Sequence, residues 1–185
     1  MTTHPNAAVT STGAPGFGAG RDEQSGSVPV ALLRITLGVI LLATWYDNLN
    51  DDLYTADGLK GFLTWLYTSP EEGGNGSSLG FYESFLDSVI APAAGPYATF
   101  QLIFELALGI ALVLGVLTRF FSLAAIAFFF SIFLGYFGGE EWIWTYVLLI
   151  MAAVTVFGGY GGRTWGIDRA LTSSLGPSPF GNILW

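Results

Sequence analysis

The sequence predicts an all-α integral membrane protein: a bundle of four transmembrane helices, with short amphipathic helices in a long outer loop between the first two. Three observations carry that expectation. Apolar residues make up 52% of the 185 and charged residues only 11%, under half of the roughly 25% usual in soluble domains. The mean hydropathy is +0.56. The charge is also unevenly spread, falling in the tails and one loop and leaving four runs of about 18 to 21 residues. Each run matches the roughly 20 residues needed to cross a 30 Å hydrocarbon core.

Residues 1–27 are rich in Thr, Ala, Gly, Pro and Ser without apolar periodicity, and are expected to be a disordered cytoplasmic tail. They lack the basic n-region of a signal peptide. The membrane domain is expected over residues 28–171, with spans at about 29–48, 97–117, 120–137 and 142–160, and a cytoplasmic tail at 172–185. The third span, FFSLAAIAFFFSIFLGYF, has none of the polar face that a soluble bundle helix carries. Its Phe128, Phe129, Phe130 and Phe133 are expected to face lipid and neighbouring helices. Ala107, Ala111 and Gly115 recur every four residues, a small-residue seam for helix packing.

The outer loop, residues 51–96, is too long for a bare connection. Asp57 is expected to cap a short helix whose Leu59, Phe62, Leu63 and Leu66 share one face. The Gly/Ser/Asn stretch GGNGSS follows, then a second apolar-aromatic helix over residues 81–90, closed by Pro92. The two would lie on the outer surface and cover the bundle. GGYGG after the fourth span reads as a helix exit and bend.

Basic residues set the orientation. Arg21, Arg34, Arg119, Arg163 and Arg169 fall on one side if both termini are cytoplasmic, and Lys60 stands on the other among ten acids. Trp45, Trp142, Trp144, Tyr46 and Tyr97 gather at that acidic edge as an interfacial belt. The predicted topology is N-in and C-in, in the cell membrane. A net charge of −8 with a single lysine argues against nucleic acid and resembles the balance of proteins facing high salt.

The chain has no cysteine and one histidine, His4, so no haem, metal or flavin is expected to be bound here, and catalytic triads and phosphate loops are missing. Ionisable groups within spans are the candidates for chemistry. Glu105 lies about 12 Å below the outer surface at 1.5 Å per residue. Gln101 and Gly109 stand at i−4 and i+4 from it, and Thr44 and Asn48 reach a matching depth on span one. Together they would line a cavity open to the outside. Glu105 is then either a proton carrier or quinone-headgroup partner, or a structural carboxyl held by Asn48, a Trp indole or Arg34. Arg34 is expected to snorkel to the cytoplasmic surface, and Asp168 to pair there with Arg163 or Arg169.

The segments LLRITLGVILL, FELALGIALVLGVLTRFFSLAA and GGYGGRTWGIDRAL, the last with its Arg-x-x-x-Ile-Asp element, resemble the DoxX/DoxD family of four-helix membrane proteins. The outer insertion with FYESFLDSVIAP is more similar to the DoxD branch. The resemblance implies a membrane subunit of a quinone-linked oxidoreductase, as in a thiosulfate:quinone oxidoreductase where a DoxD-type subunit works with a DoxA-type one. On the family pattern Arg34, Glu105 and Asp168 are the recurring polar positions. Membrane quinone is the implied diffusible substrate, with Glu105 as its proton or quinone site and Gln101, Asn48, Thr44 and Trp45 shaping it. The implied partners are the lipid bilayer and a DoxA-like subunit or soluble redox protein, and a homo-oligomer is compatible with them. A non-catalytic anchor for redox proteins and a small-molecule transporter are the other functions the same cavity allows.

Overall fold

The computed structural model describes residues 27–175, all of it helices and their connections, with no strand among the described residues. The expectations for residues 1–26 and 176–185 lie outside it. Helix α1 (Val28–Asn50) starts where the Ser27 hydroxyl accepts from the Val30 N–H, with Pro29 in the first turn where its missing N–H costs nothing. Helix α2 (Ala56–Tyr67) is capped by Thr55, whose Oγ1 accepts from Gly58 N at 3.0 Å. Asp57, expected as the cap, instead sits in the first turn, where a carboxylate faces the positive end of the helix dipole.

The second outer helix is not a separate surface element. Helix α3 (Gly80–Phe85) runs through a π turn (Leu86–Ile90) and a 3-10 turn (Ala91–Ala93) into α4 (Ala94–Leu114), a continuous helical stretch from Gly80 to Leu114. Pro92 does not close it. The switch from π to 3-10 geometry places Pro92 at the start of its own turn, where no donor is needed. Helix α5 (Thr118–Tyr136) follows after three residues, α6 covers Trp144–Gly158, and α7 covers Asp168–Leu175. Residues 172–175, read as tail, continue α7.

Three helical stretches are long and apolar enough to cross a membrane: Val28–Asn50, Gly80–Leu114 and Thr118–Tyr136. Helix α6 is apolar but has 15 residues, about 22 Å at 1.5 Å per residue, short of the expected 142–160. It ends at Gly158, and Tyr160 takes a left-handed conformation (φ 49°) before a 3-10 turn at Gly161–Arg163.

The main packing pairs are α1 with α4 and α5 with α6, and α1 also packs on α6. Leu37, Leu41, Leu108, Leu112, Phe129 and Val156 form the centre. A second cluster joins Leu59, Leu63 and Leu66 of α2 to Leu86, Ile90, Ala94 and Ala98, so α2 is fixed to the bundle by its expected face. Leu32, Val39, Ile103, Phe130, Leu148 and Met151 point outward, as residues whose solvent is lipid do. The phenylalanines of α5 divide. Phe130 is exposed and stacks on Phe133, whereas Phe129 is buried in the core and Phe128 packs against it.

The close approach of α1 to α4 runs through Gly38 and Gly109. A Cβ at Gly38 would stand 2.7 Å from the Val113 backbone nitrogen and 2.9 Å from the Gly109 carbonyl oxygen. Gly38→Ala is therefore expected to lower stability by about 1–3 kcal/mol, the usual cost of overpacking. At Gly61, on α2, an added Cβ meets nothing within 4 Å, so Gly61→Ala is expected to stabilise by about 0.4–1 kcal/mol. Thermal unfolding in one detergent compares the two.

GGNGSS is pinned to the bundle. Asn75 is buried and its Nδ2 donates to Ser77 Oγ at 2.8 Å. Its side-chain oxygen accepts from Glu141 N and its carbonyl from Glu140 N, while Ser78 N donates to Phe137 O. The outer layer is thus clamped to the α5–α6 connection.

Candidate functional site

Two buried polar clusters stand at opposite ends of the α1–α4 pair. Arg34 and Asn48 are 14 residues apart on α1, about 21 Å along the axis.

At the end carrying α2 and α3, Glu105 is 1% exposed. Three donors converge on it: Tyr54 Oη reaches Oε2 at 2.6 Å, Asn48 Nδ2 reaches the same oxygen at 3.3 Å, and Gln101 Nε2 reaches Oε1 at 2.7 Å. Its two oxygens accept all three of these bonds. Local geometry supplies one of the three donors, since Gln101 is one turn before Glu105 on α4. The rest is tertiary: α1 brings Asn48, and the turn after α1, reversed at Asp52 (φ 57°), brings back Tyr54. Burial, and then the bond to Glu105, push the Tyr54 phenol above its ordinary value, so it remains a donor at neutral pH.

The polar wall formed by Asn48, Gln101 and Glu105 faces a cavity of about 300 Å³ between α1, α2, α4, α5 and α6. Thr44 lines it too, and the opposite walls are apolar and aromatic, with Phe62, Phe128, Tyr136 and Tyr146. Tyr136 and Tyr146 stack with centroids 5.3 Å apart. Four of the five residues read from the sequence, Thr44, Asn48, Gln101 and Glu105, are thus brought to one cavity. Trp45 is not part of it: its indole N–H donates to the Leu102 carbonyl at 3.0 Å, tying α1 to α4. Gly109 is likewise spent on helix contact, with Leu42 packed against it. Sequence reasoning missed Tyr54, the closest partner of Glu105, and the tyrosines of α5 and α6.

At the other end Arg34 does not snorkel. It is 0% exposed and donates to four carbonyls: Gly161 from Nε (3.1 Å), Leu112 and Val113 (2.9 Å) from Nη1, and Trp165 from Nη2 (3.3 Å). Two of these are the unpaired carbonyls closing α4. Asp168, also fully buried, does not use its oxygens at the surface. Oδ1 accepts from Leu117 N at 2.7 Å and Oδ2 from Thr118 N at 2.8 Å, capping α5 from a distant part of the chain. Each charge faces the helix end that attracts it. Gly115 makes the turn between them, with φ 68° and Arg34 Nη1 against its open side, where a side chain would not fit. Beyond this cluster the Arg119 guanidinium lies over the Phe157 and Tyr160 rings at 4.5 and 4.8 Å, and Arg163 over Tyr160 at 4.3 Å. No group of three or more His, Cys, Asp or Glu suited to a metal occurs among the described residues.

Fold and site together define an all-helical membrane protein with an aromatic, carboxyl-bearing cavity near one end. Residues 30–137, more than half of the chain, match the DoxX family model, and the chain belongs to the DoxX family. No curated protein and no solved structure matches it.

Proposed function

We propose that this chain is the membrane subunit of a quinone-linked oxidoreductase that passes electrons from an outer-side donor to membrane quinone. The observation that carries the proposal is the Glu105 cluster forming one polar wall of an otherwise apolar and aromatic cavity. At about 300 Å³ it has the size, lining and sparse polar groups of a small-molecule site. A quinone ring is flat, with an acceptor oxygen at each end. The Asn48 and Gln101 amides supply donors, Phe128 and Tyr136 supply faces for the ring, and Glu105 holds a carboxyl where a proton must be delivered. Reduction takes two electrons and two protons, and gives the quinol. The chain has no cysteine, so the electrons come from the donor, thiosulfate in the activity the DoxD branch is named for, or through a cofactor of a DoxA-like subunit or soluble redox protein. Two thiosulfates join through an S–S bond as tetrathionate for the two electrons given up.

In this proposal α6 and its flanking turns form a fourth, shorter crossing beside α5, and both termini are cytoplasmic. Arg34, Arg119, Arg163 and Arg169 share the end opposite α2 and α3, and Lys60 sits on α2, which is the positive-inside pattern. The acidic end then faces outward and meets the donor.

The test is reduction of a soluble quinone by the purified full chain with thiosulfate as donor, beside direct quinone binding. Saturable binding with thiosulfate-dependent reduction is the expected result. Binding without reduction assigns the missing step to a partner subunit. No binding at all removes the quinone proposal and leaves an anchor for redox proteins.

A further inference from the structure

A second, smaller and partly open cavity of about 80 Å³ lies beside the first, lined by α2, the α3 stretch, α4 and α5. Its own walls are mostly aliphatic, with Leu59, Leu66, Leu86 and Ile90, and carry Ser131 and Gly135 of α5. Both cavities share Phe62, Gln101, Phe128, Ile132 and Tyr136, so only this ring of side chains stands between them. Gln101 is the polar member, and its amide is already turned to Glu105 at 2.7 Å. Phe62 and Tyr136 are two of its three aromatic rings, 6.2 Å apart, with Trp65 packed on both.

The two chambers differ in what they can hold. The larger offers hydrogen bonds on one side and ring faces on the other. The smaller is lined mainly by aliphatic side chains; of its polar groups, the Tyr82 and Ser131 hydroxyls bond each other at 2.6 Å, Gln101 is turned to Glu105, and Tyr97 and Tyr136 present rings to it. An apolar cavity of about 150 Å³ takes a benzene ring and stays dry, so this one takes a branched segment of a few carbon atoms and no ring. Resting on the quinone reading above, we propose that the substrate is a prenylated quinone, with its ring in the larger cavity and its first isoprene unit turned past Phe62 into the smaller one. The outer layer then selects the tail. Helix α2 and the π turn at Leu86–Ile90 supply Leu59, Leu63, Leu66, Leu86 and Ile90, five of the nine residues that line the smaller chamber alone, and are held to the bundle by the Leu59–Leu63–Leu66 face.

The experiment uses the full chain in one detergent and two ligands, a tailless benzoquinone and the same ring bearing one isoprene unit. Quenching of tryptophan fluorescence reads binding, because Trp65 lies against the dividing rings. Two variants fill the smaller chamber only. Gly135→Leu starts from a position where a Cβ meets Leu66 at 3.4 Å and Tyr82 at 3.7 Å, so the added side chain enters the chamber without a backbone clash. Leu86→Phe does the same from the π turn. The wild type is expected to bind the prenylated ring at least tenfold more tightly than the tailless one. Both variants are expected to lose that preference while keeping the wild-type Kd for the tailless ring, which also reports an intact fold. Equal affinity for the two ligands in the wild type, a preference that survives both fillings, or equal loss of both ligands in both variants overturns the tail chamber alone. Failure of both quinones to bind the wild type overturns the quinone reading and this one with it.

Discussion

If the proposed quinone site is right, replacing Glu105 by glutamine is expected to reduce quinone turnover by at least about 100-fold, the low end of what a positioned acid–base group contributes, while leaving the protein folded. The carboxylate receives three donors on two oxygens. Glutamine keeps one acceptor oxygen, which Tyr54 and Asn48 can still use, and replaces the other with an NH₂ facing the Gln101 amide. Rotation of Gln101 by half a turn presents its oxygen instead and repairs the contact. The structural cost is then the difference between charged and neutral hydrogen bonds, about 1–2 kcal/mol. Glu105→Ala has no such repair. It strands Tyr54, Asn48 and Gln101 in a buried wall and is expected to unfold at markedly lower temperature. Tyr54→Phe removes the 2.6 Å bond but leaves the carboxyl, so turnover is expected to fall by less than in the glutamine variant. Steady-state quinone reduction with thermal unfolding of each variant separates the roles. Glu105→Gln with turnover within about twofold of the wild type would reduce Glu105 to a structural carboxyl.

The sequence exposed those parts of this site that depend on helical spacing. Gln101 and Glu105 are one turn apart, and an acid in an apolar run is conspicuous, so α4's contribution was readable without coordinates. Asn48 and Thr44 followed from counting residues from the membrane edge on α1. What spacing does not encode is a return of the chain. Tyr54 reaches Glu105 because the turn after α1 passes through a left-handed residue at Asp52, and no period in the sequence marks that reversal. The same limit misplaced Trp45, whose aromatic character fits a belt or a cavity wall equally well until its N–H is seen on the Leu102 carbonyl. Pro92 was misread for another reason. A proline ends a regular α-helix, but the π turn before it shifts the hydrogen-bond register so that the helix resumes. The clamp at Asn75 was hidden in a composition that usually marks a flexible linker.

Arg34→Met is expected to be the most destabilising single substitution in the chain, and it acts about 21 Å along α1 from Asn48. The guanidinium serves four carbonyls at once, two closing α4 and two from the segment after α6. Backbone bonds from Ile167 N to Leu114 O and from Asp168 N to Gly115 O lie beside it, so Arg34 fastens α1, the end of α4 and the start of α7 into one knot. Methionine fills much of the volume but donates nothing. Each buried carbonyl left without a partner costs about 1–3 kcal/mol, and even partial relaxation leaves a loss of several kcal/mol, comparable with the whole margin of many domains. Lysine keeps the charge as a compact group with three donors and cannot reproduce the planar fork, so Arg34→Lys is expected to fall between methionine and wild type. Asp168→Asn retains an acceptor for one of the two α5 amides and turns a donor toward the other, giving a smaller loss. The expected order of unfolding temperature in one detergent is wild type, Asp168→Asn, Arg34→Lys, Arg34→Met, with the last recovered in low yield. Because none of these residues touches the Glu105 cavity, the Asp168→Asn protein that does fold should bind quinone with wild-type affinity. A methionine variant unfolding within two or three degrees of wild type would mean that those carbonyls find other partners, and that the charge, buried at the turn between α4 and α5, has some task other than holding the fold.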